Sequence, residues 1–196
     1  MDQPILGKDK GDQKTTRGME SRLIHARTIL VSEEVSDRLA RRVAAMLVAM
    51  QDEDESAPIT VYVNSPGGSA DSGFAIFDML RFVKPPVRAV CNGLCASAAV
   101  MIYLAAKREH RYSLPNSRFL LHQPSTAFYG AAADVKINAE EIIRLRERYN
   151  TIVAAETGKT EPQITKDADR DFWLSALQAK EYGLVGQVIE KFDEIH

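Results

Sequence analysis

Ser97, His122 and a group of aspartates near the C-terminus are the residue types of nucleophilic acyl chemistry. Ser97 stands in Cys95-Ala-Ser-Ala-Ala99, after the β-branched run Val87–Cys91 and just ahead of Val100-Met-Ile-Tyr-Leu104. The stretch predicts a buried strand stopping at Asn92-Gly93, a tight turn, and a buried helix with Ser97 in its first turn. A hydroxyl there lies near unpaired backbone N–H groups and the positive end of the helix dipole. Two roles fit it: a helix cap, serine being a preferred N-cap residue, or a nucleophile.

A nucleophilic serine needs a base in reach, a carboxylate to orient that base, and donors for the oxyanion. The chain has four histidines. His25 lies beside a polar N-terminal stretch, His110 in the basic connector Lys107-Arg-Glu-His110, and His196 is the last residue. His122 alone ends an apolar strand, followed by Gln123-Pro124, where α/β sheets present functional groups. A structural role also fits a lone histidine there. Asp171 directly precedes Phe172-Trp-Leu174, and a carboxylate beside so much apolar surface needs a partner; Asp167 and Asp169 compete with it. Gly67-Gly68, after the strand Ile59–Val63, could join the N–H of Ala98 in an oxyanion hole made of backbone alone. The same Pro66-Gly67-Gly68 also fits an ordinary strand-to-helix turn. Ser97 lacks the G-x-S-x-G surround of the nucleophile elbow, and the order Ser, His, Asp is not that of the α/β-hydrolases, chymotrypsin or subtilisin.

These residues must be positioned by a chain of 196 residues, enough for one well-filled core. Met1 to Glu20 is polar and aperiodic, apart from Pro4-Ile5-Leu6, and reads as a mobile arm; 21–196 reads as a single domain. A strand Arg27–Val31 leads to a helix capped by Ser32, with Val35, Leu39, Val43, Leu47 and Met50 on its buried face. The helix after Gly68 buries Phe74, Phe77 and Leu80 and ends at Pro85-Pro86. A strand pair about Pro115-Asn116 follows, its second member being Arg118–His122. The longest helix is expected over about 132–156, closed by Gly158; its length exceeds what one core needs, so it projects or serves an interface. A short helix, Glu161 to Asp169, precedes the strand-like Asp171–Leu174. A helix from Ser175 to Tyr182 and a strand from Leu184 to Ile189 complete an α/β domain with a largely parallel sheet.

Composition narrows the class further. A formal charge of −2 gives no pull toward nucleic acid or an anionic membrane. No apolar run reaches the roughly 20 residues of a bilayer span, and the N-terminus has no signal-peptide pattern. Cys91 and Cys95, the only cysteines, have poor metal spacing and read as buried thiols of a reducing compartment, hence a cytoplasmic protein without a metal.

Asn64-Ser-Pro-Gly-Gly-Ser69, Gly93-x-x-x-Ser97, Leu114-Pro-Asn-Ser-Arg118 with His122-Gln-Pro124, and Asp169-Arg-Asp171 with Ser175-Ala176 and Glu181-Tyr-Gly-Leu-Val185 resemble, in the same order, the proteolytic subunit of the ATP-dependent Clp protease family, ClpP. The resemblance runs from about Ser21 to Ile189. It implies the ClpP/crotonase spiral of ββα units with a projecting long helix, and a serine endopeptidase acting on unfolded polypeptide through an acyl-enzyme. Carried over by position, Ser97 is the nucleophile, His122 the base, Asp171 its carboxylate, and Gly68 and Ala98 the oxyanion donors. Arg170 matches the residue coupling ring contact to that aspartate. The implied assembly is two heptameric rings, of one or two subunit types, stacked as a tetradecamer through the long helix. An AAA+ unfoldase of the Clp family would feed it and consume the ATP; the subunit itself needs no cofactor. Ala98-Ala99 replaces the family's usual Met-Gly, Ser125-Thr-Ala-Phe-Tyr129 its Gly-Gly strand, and the N-terminal region is shorter and more polar. A divergent paralogue is therefore expected. The rivals are a ring subunit that assembles without cutting and a crotonase-type acyl-CoA enzyme. The second wants paired acidic catalysts and leaves Ser97, His122 and Asp171 unused.

Overall fold

The structure, a computed structural model, describes residues 10–124 and 129–196. Pro4-Ile5-Leu6 and residues 125–128 of the altered substrate strand lie outside the described residues. The chain opens with a helix, α1 (Lys10–His25), where the sequence predicts an aperiodic arm as far as Glu20. Half of its residues are good helix formers, and Leu23 and Ile24 anchor its C-terminal end against the core.

Strand β1 (Thr28–Val31) is followed by α2 (Asp37–Glu53). The cap of α2 is Ser36, whose hydroxyl accepts from Leu39 N, and not Ser32 as expected. The helix starts later because Val35 is still extended, bridging in parallel to Gly68. The apolar face predicted for α2 is the one buried. Leu39, Val43, Leu47 and Met50 are fully inaccessible, each contributing about 1.5–3 kcal/mol by leaving water.

β2 (Ile59–Ser65) leads to α3 (Ala70–Phe82), then β3 (Val87–Ala96) and α4 (Ala98–Leu104). The tight turn expected at Asn92-Gly93 does not form; β3 runs through it and changes partners there. Its first half pairs with β4 (Arg111–Ser113) through Ala89–Cys91, its second half with β5 (Arg118–Leu121) through Leu94–Ala96. β4 and β5 therefore do not pair with each other, contrary to the expected strand pair. The change of direction is set by Asn64, at an irregularity in the β2–β3 register, whose Oδ1 accepts from Leu94 N at 2.9 Å. A side chain on residue 93 would collide with that Asn64 amide, which is why the position is glycine.

α5 (Ala132–Thr157), α6 (Glu161–Asp167), β6 (Phe172–Ser175), α7 (Ala176–Tyr182) and the two-residue β7 (Gln187–Val188) complete the chain. The final strand is shorter than expected. The seven-stranded sheet runs β1-β2-β3-β4-β7, all parallel, with β5 joining β3 and carrying β6 antiparallel on its other edge. The long helix forms where expected and ends at Gly158, which adopts φ 73° and donates to Ala154 O. Every residue of α5 from Ala132 to Glu141 is exposed, so its first turns stand away from the body of this chain.

Its C-terminal half is held by a buried arginine. Arg111 is wholly inaccessible and donates to Ala106 O (2.7 Å), Glu156 O (3.0 Å) and Leu104 O (3.3 Å), and pairs with the Glu156 carboxylate. Arg81 pairs with the other oxygen of Glu156. α3, β4 and α5 are thereby joined through one carboxylate, and the Leu104 carbonyl brings the end of α4 to the same two arginines.

Candidate active site

Ser97 lies between β3 and α4 with φ 56° and ψ −125°, a region non-glycine residues rarely occupy. It sits at the N-cap position of α4, yet its hydroxyl makes no capping bond. The cap reading therefore fails, and what remains is a serine in a strained backbone whose hydroxyl does not cap its helix. The G-x-S-x-G sequence is absent, but the sharp strand-to-helix geometry belonging to that motif is present. Leu120 O accepts from Ser97 N at 3.0 Å, tying the junction to β5.

Pro66-Gly67-Gly68 forms a strap beside this serine. Val35 brackets it, donating to Gly67 O at 2.8 Å and accepting from Ser69 N at 2.8 Å. Ser65 Oγ donates to Glu33 O and accepts from Gly67 N, which locks the start of the strap. Gly67 has φ 91°, and a Cβ there would stand 2.6 Å from Ser97 Cβ and 3.1 Å from Ala98 N. Gly68 (φ 144°) runs equally close to Val35 O. Only glycine lets the strap lie this near both neighbours. Among the described residues, the N–H groups of Gly68 and Ala98 donate to no backbone carbonyl.

Ser97, Ala98, Gly68 and His122 line one cleft of about 400 Å³. The other three histidines lie elsewhere. His25 bonds back to Ser21 O on α1, His110 lines a cavity behind α3, and the backbone of His196 bonds the Tyr112 hydroxyl. Of the three aspartates weighed, Asp171 is the one near the base, its Oδ1 3.8 Å from His122 Nδ1. Asp167 is taken up by the Tyr182 hydroxyl and Gln163 Nε2, both at 2.7 Å. The burial argument for Asp171 does not hold, because its side chain is 65% exposed. What brings it to His122 is the β5–β6 ladder, whose last pair is Leu121 with Phe172, so that the next residue outward on each strand is His122 or Asp171. At 3.8 Å the pair is in ionic reach and outside hydrogen-bond distance. Arg170, beside it, is exposed.

The cleft has walls that the sequence reading did not assign. Ile142, Leu145 and Tyr149 of α5 form one side, Phe74 and Met101 the floor, and Asp71 the rim. Their helical spacing marked a buried face, without showing that a cleft lay between it and Ser97. Burial pushes the Tyr149 phenol well above its ordinary range. It does the same to the buried Cys95 thiol, two residues before Ser97, whereas hydrogen bonding, from Cys95 above all, holds the buried Cys91 thiol below its ordinary range. Among the described residues there is no metal-holding cluster of His, Cys, Asp and Glu, and no helix long and apolar enough to cross a membrane.

The protein thus has a mixed α/β fold with a strained serine and a histidine lining one cleft, and a carboxylate 3.8 Å from that histidine. The sequence profile of the family described as Clp protease matches residues 11–192. The ATP-dependent Clp protease proteolytic subunit 3 of Rhizobium etli is 48% identical over 173 residues, 87% of each chain. Subunit 2 of Treponema denticola is 41% identical over 174 residues, 89% of this chain and 87% of its own. The solved structure of a ClpP1 point mutant from Listeria monocytogenes superposes with a TM-score of 0.84 at 43% identity, covering 91% of this chain and 99% of that one. The chain belongs to the Clp protease family.

Proposed function

We propose that this chain is the serine endopeptidase subunit of a chambered, ATP-dependent cytoplasmic protease that degrades unfolded polypeptides to small peptides. The observation that carries the reading is Ser97: strained, uncapped, and facing the cleft that also holds His122. Its Oγ attacks the scissile carbonyl while His122 accepts the hydroxyl proton; Asp171 orients the imidazole and stabilises its cationic form. The negative charge developing on the carbonyl oxygen falls to the N–H groups of Gly68 and Ala98. The intermediate collapses to an acyl-Ser97 ester as His122 passes its proton to the departing amine. Water, deprotonated by the same histidine, then releases the second product and restores the serine.

Two rings of seven, stacked through α5, would enclose these sites, with a Clp-family AAA+ unfoldase threading substrates in and hydrolysing the ATP. The exposed first turns of α5 support an interface there. Exposed Arg170 and Asp171 support the further reading that ring contact sets the carboxylate against His122. One observation favours the assembly-only alternative: the 3.8 Å gap between His122 and Asp171. The test is native mass measured alongside hydrolysis of an unfolded casein substrate, with wild type and Ser97→Ala, with and without an AAA+ unfoldase. Tetradecamers of both proteins, with cleavage by wild type alone, are expected. Intact wild-type rings that never cut would favour the assembly-only subunit.

A further inference from the structure

We infer that Gln123 is a positioning residue for the His122–Asp171 pair, its amide clamping the backbone that carries Asp171 and tying it to the cleft wall on α5. The inference rests on the serine-peptidase reading and names a part of the machinery that reading leaves out.

The β5–β6 ladder ends at Leu121 and Phe172. Beyond it the backbone must bring two side chains together without ladder bonds. Gln123 supplies what replaces them. Its backbone N–H donates to Ala168 O at 3.0 Å and its side-chain Nε2 donates to Asp169 O at 3.0 Å. One residue thus grips two successive carbonyls of the segment leading into Asp171, immediately after His122 in the other strand. The segment has no regular secondary structure between α6 and β6, so these two bonds limit how far Asp171 can drift.

The third contact fixes the amide itself. Gln123 Oε1 faces Arg146 Nη1 at 3.5 Å. An arginine offers only donors and a carbonyl only accepts, so both partners demand the same orientation of the amide. Arg146 lies on α5 next to Leu145, a cleft-lining residue. A displacement of α5 is therefore passed by Arg146 to Gln123, and by Gln123 to the segment holding Asp171. Fixing a long glutamine side chain costs rotamer freedom, which these bonds must offset.

The test uses the assembled protein and three changes: Gln123→Ala, Gln123→Glu and Asp171→Asn. Gln123→Glu keeps the size and converts the Arg146 contact to an ion pair but opposes a carboxylate oxygen to Asp169 O, so the donor is lost while the tether to α5 remains. Peptide hydrolysis (kcat and KM) and the rate of acylation by a fluorophosphonate are measured, with native mass as the check on assembly. Both Gln123 variants should lose kcat by about 10–100-fold with KM within about twofold. In the Asp171→Asn background the further loss should shrink to less than about twofold, since the clamp acts through that carboxylate. An undiminished kcat in Gln123→Glu, or equal losses with and without Asp171, would overturn the inference. If wild type itself resists acylation, the serine-peptidase reading falls and the clamp's role falls with it. Normal wild-type acylation with unaffected variants would sink the clamp alone.

Discussion

Replacing Gly67 with alanine sets a methyl group 2.6 Å from Ser97 Cβ and 2.7 Å from Ala96 O. Neither neighbour is the free end of a flexible chain. Ser97 is fixed by the strand before it and the helix after it, so relief comes only by moving the strap or the serine. Reaching ordinary van der Waals separation needs a shift of roughly 0.8 Å between the two Cβ atoms. A misplacement near 1 Å between nucleophile and its partners costs on the order of 100-fold in rate, so acylation of Gly67→Ala by a fluorophosphonate should fall about 50–100-fold. The φ of 91° adds a backbone penalty of about 1–3 kcal/mol, a fall in Tm of roughly 2–12 °C for a chain this size. Gly158→Ala is the control. It shares a positive φ (73°), has nothing within 4 Å of the added Cβ, and is remote from the cleft. It should lose about 1 kcal/mol of stability and keep the wild-type acylation rate. Stopped-flow or gel-based labelling, with melting curves on the same samples, separates the two effects. A Gly67→Ala protein that acylates within about twofold of wild type would refute the claim that the strap's contact positions Ser97.

Other outcomes follow from the same geometry. Asp171→Asn should cut peptide hydrolysis by roughly 10²–10⁴-fold while Asp169→Asn leaves it within about threefold, since only Asp171 approaches His122; equal losses in kcat would contradict the assignment. Glu156→Ala leaves the inaccessible Arg111 guanidinium without its carboxylate and should cost roughly 3 kcal/mol in urea denaturation, whereas an unchanged midpoint would show the pair to be inconsequential. Burial raises the phenol pKa of Tyr103, Tyr149 and Tyr182, the last helped by its bond to the Asp167 carboxylate. The folded chain keeps these protons where the unfolded chain, titrating near 10.0, gives them up. Their stabilisation is thus fully present below pH 10 and lost as pH climbs above it. Urea midpoints from pH 8 to 11 should fall at the alkaline end, less steeply in Tyr182→Phe; a flat profile would contradict the shifts.

Much of this was legible in residue types alone. Alternating strand and helix patterns gave the α/β class, and α2 and α5 were readable because apolar residues recur at three and four and Gly158 stops the longer helix. His122 stood out by elimination among four histidines, and Ser97 by its place ahead of a buried helix, where a cap also fitted. The rest needed three dimensions. A partner change within one strand is invisible to periodicity, so β3 looked finished at Asn92-Gly93 when an asparagine on the neighbouring strand carries it onward. Asp171 was singled out for apolar neighbours that do not bury it; a ladder register, absent from any local pattern, brings it to His122. Arg111, just past the basic connector Lys107–His110, carried no signal of its own, because burial of an arginine depends on carbonyls and a glutamate from other segments. Gln123 read only as the residue after a candidate base, since its partners lie on two other elements.

Whether Ser97 is the nucleophile is decided by incubating the assembled protein with a fluorophosphonate and mapping the adduct by peptide mass spectrometry. A single stoichiometric adduct is expected on the peptide carrying Ser97, lost in Ser97→Ala and strongly slowed in His122→Ala. An adduct on another residue, or labelling that survives Ser97→Ala, would contradict it.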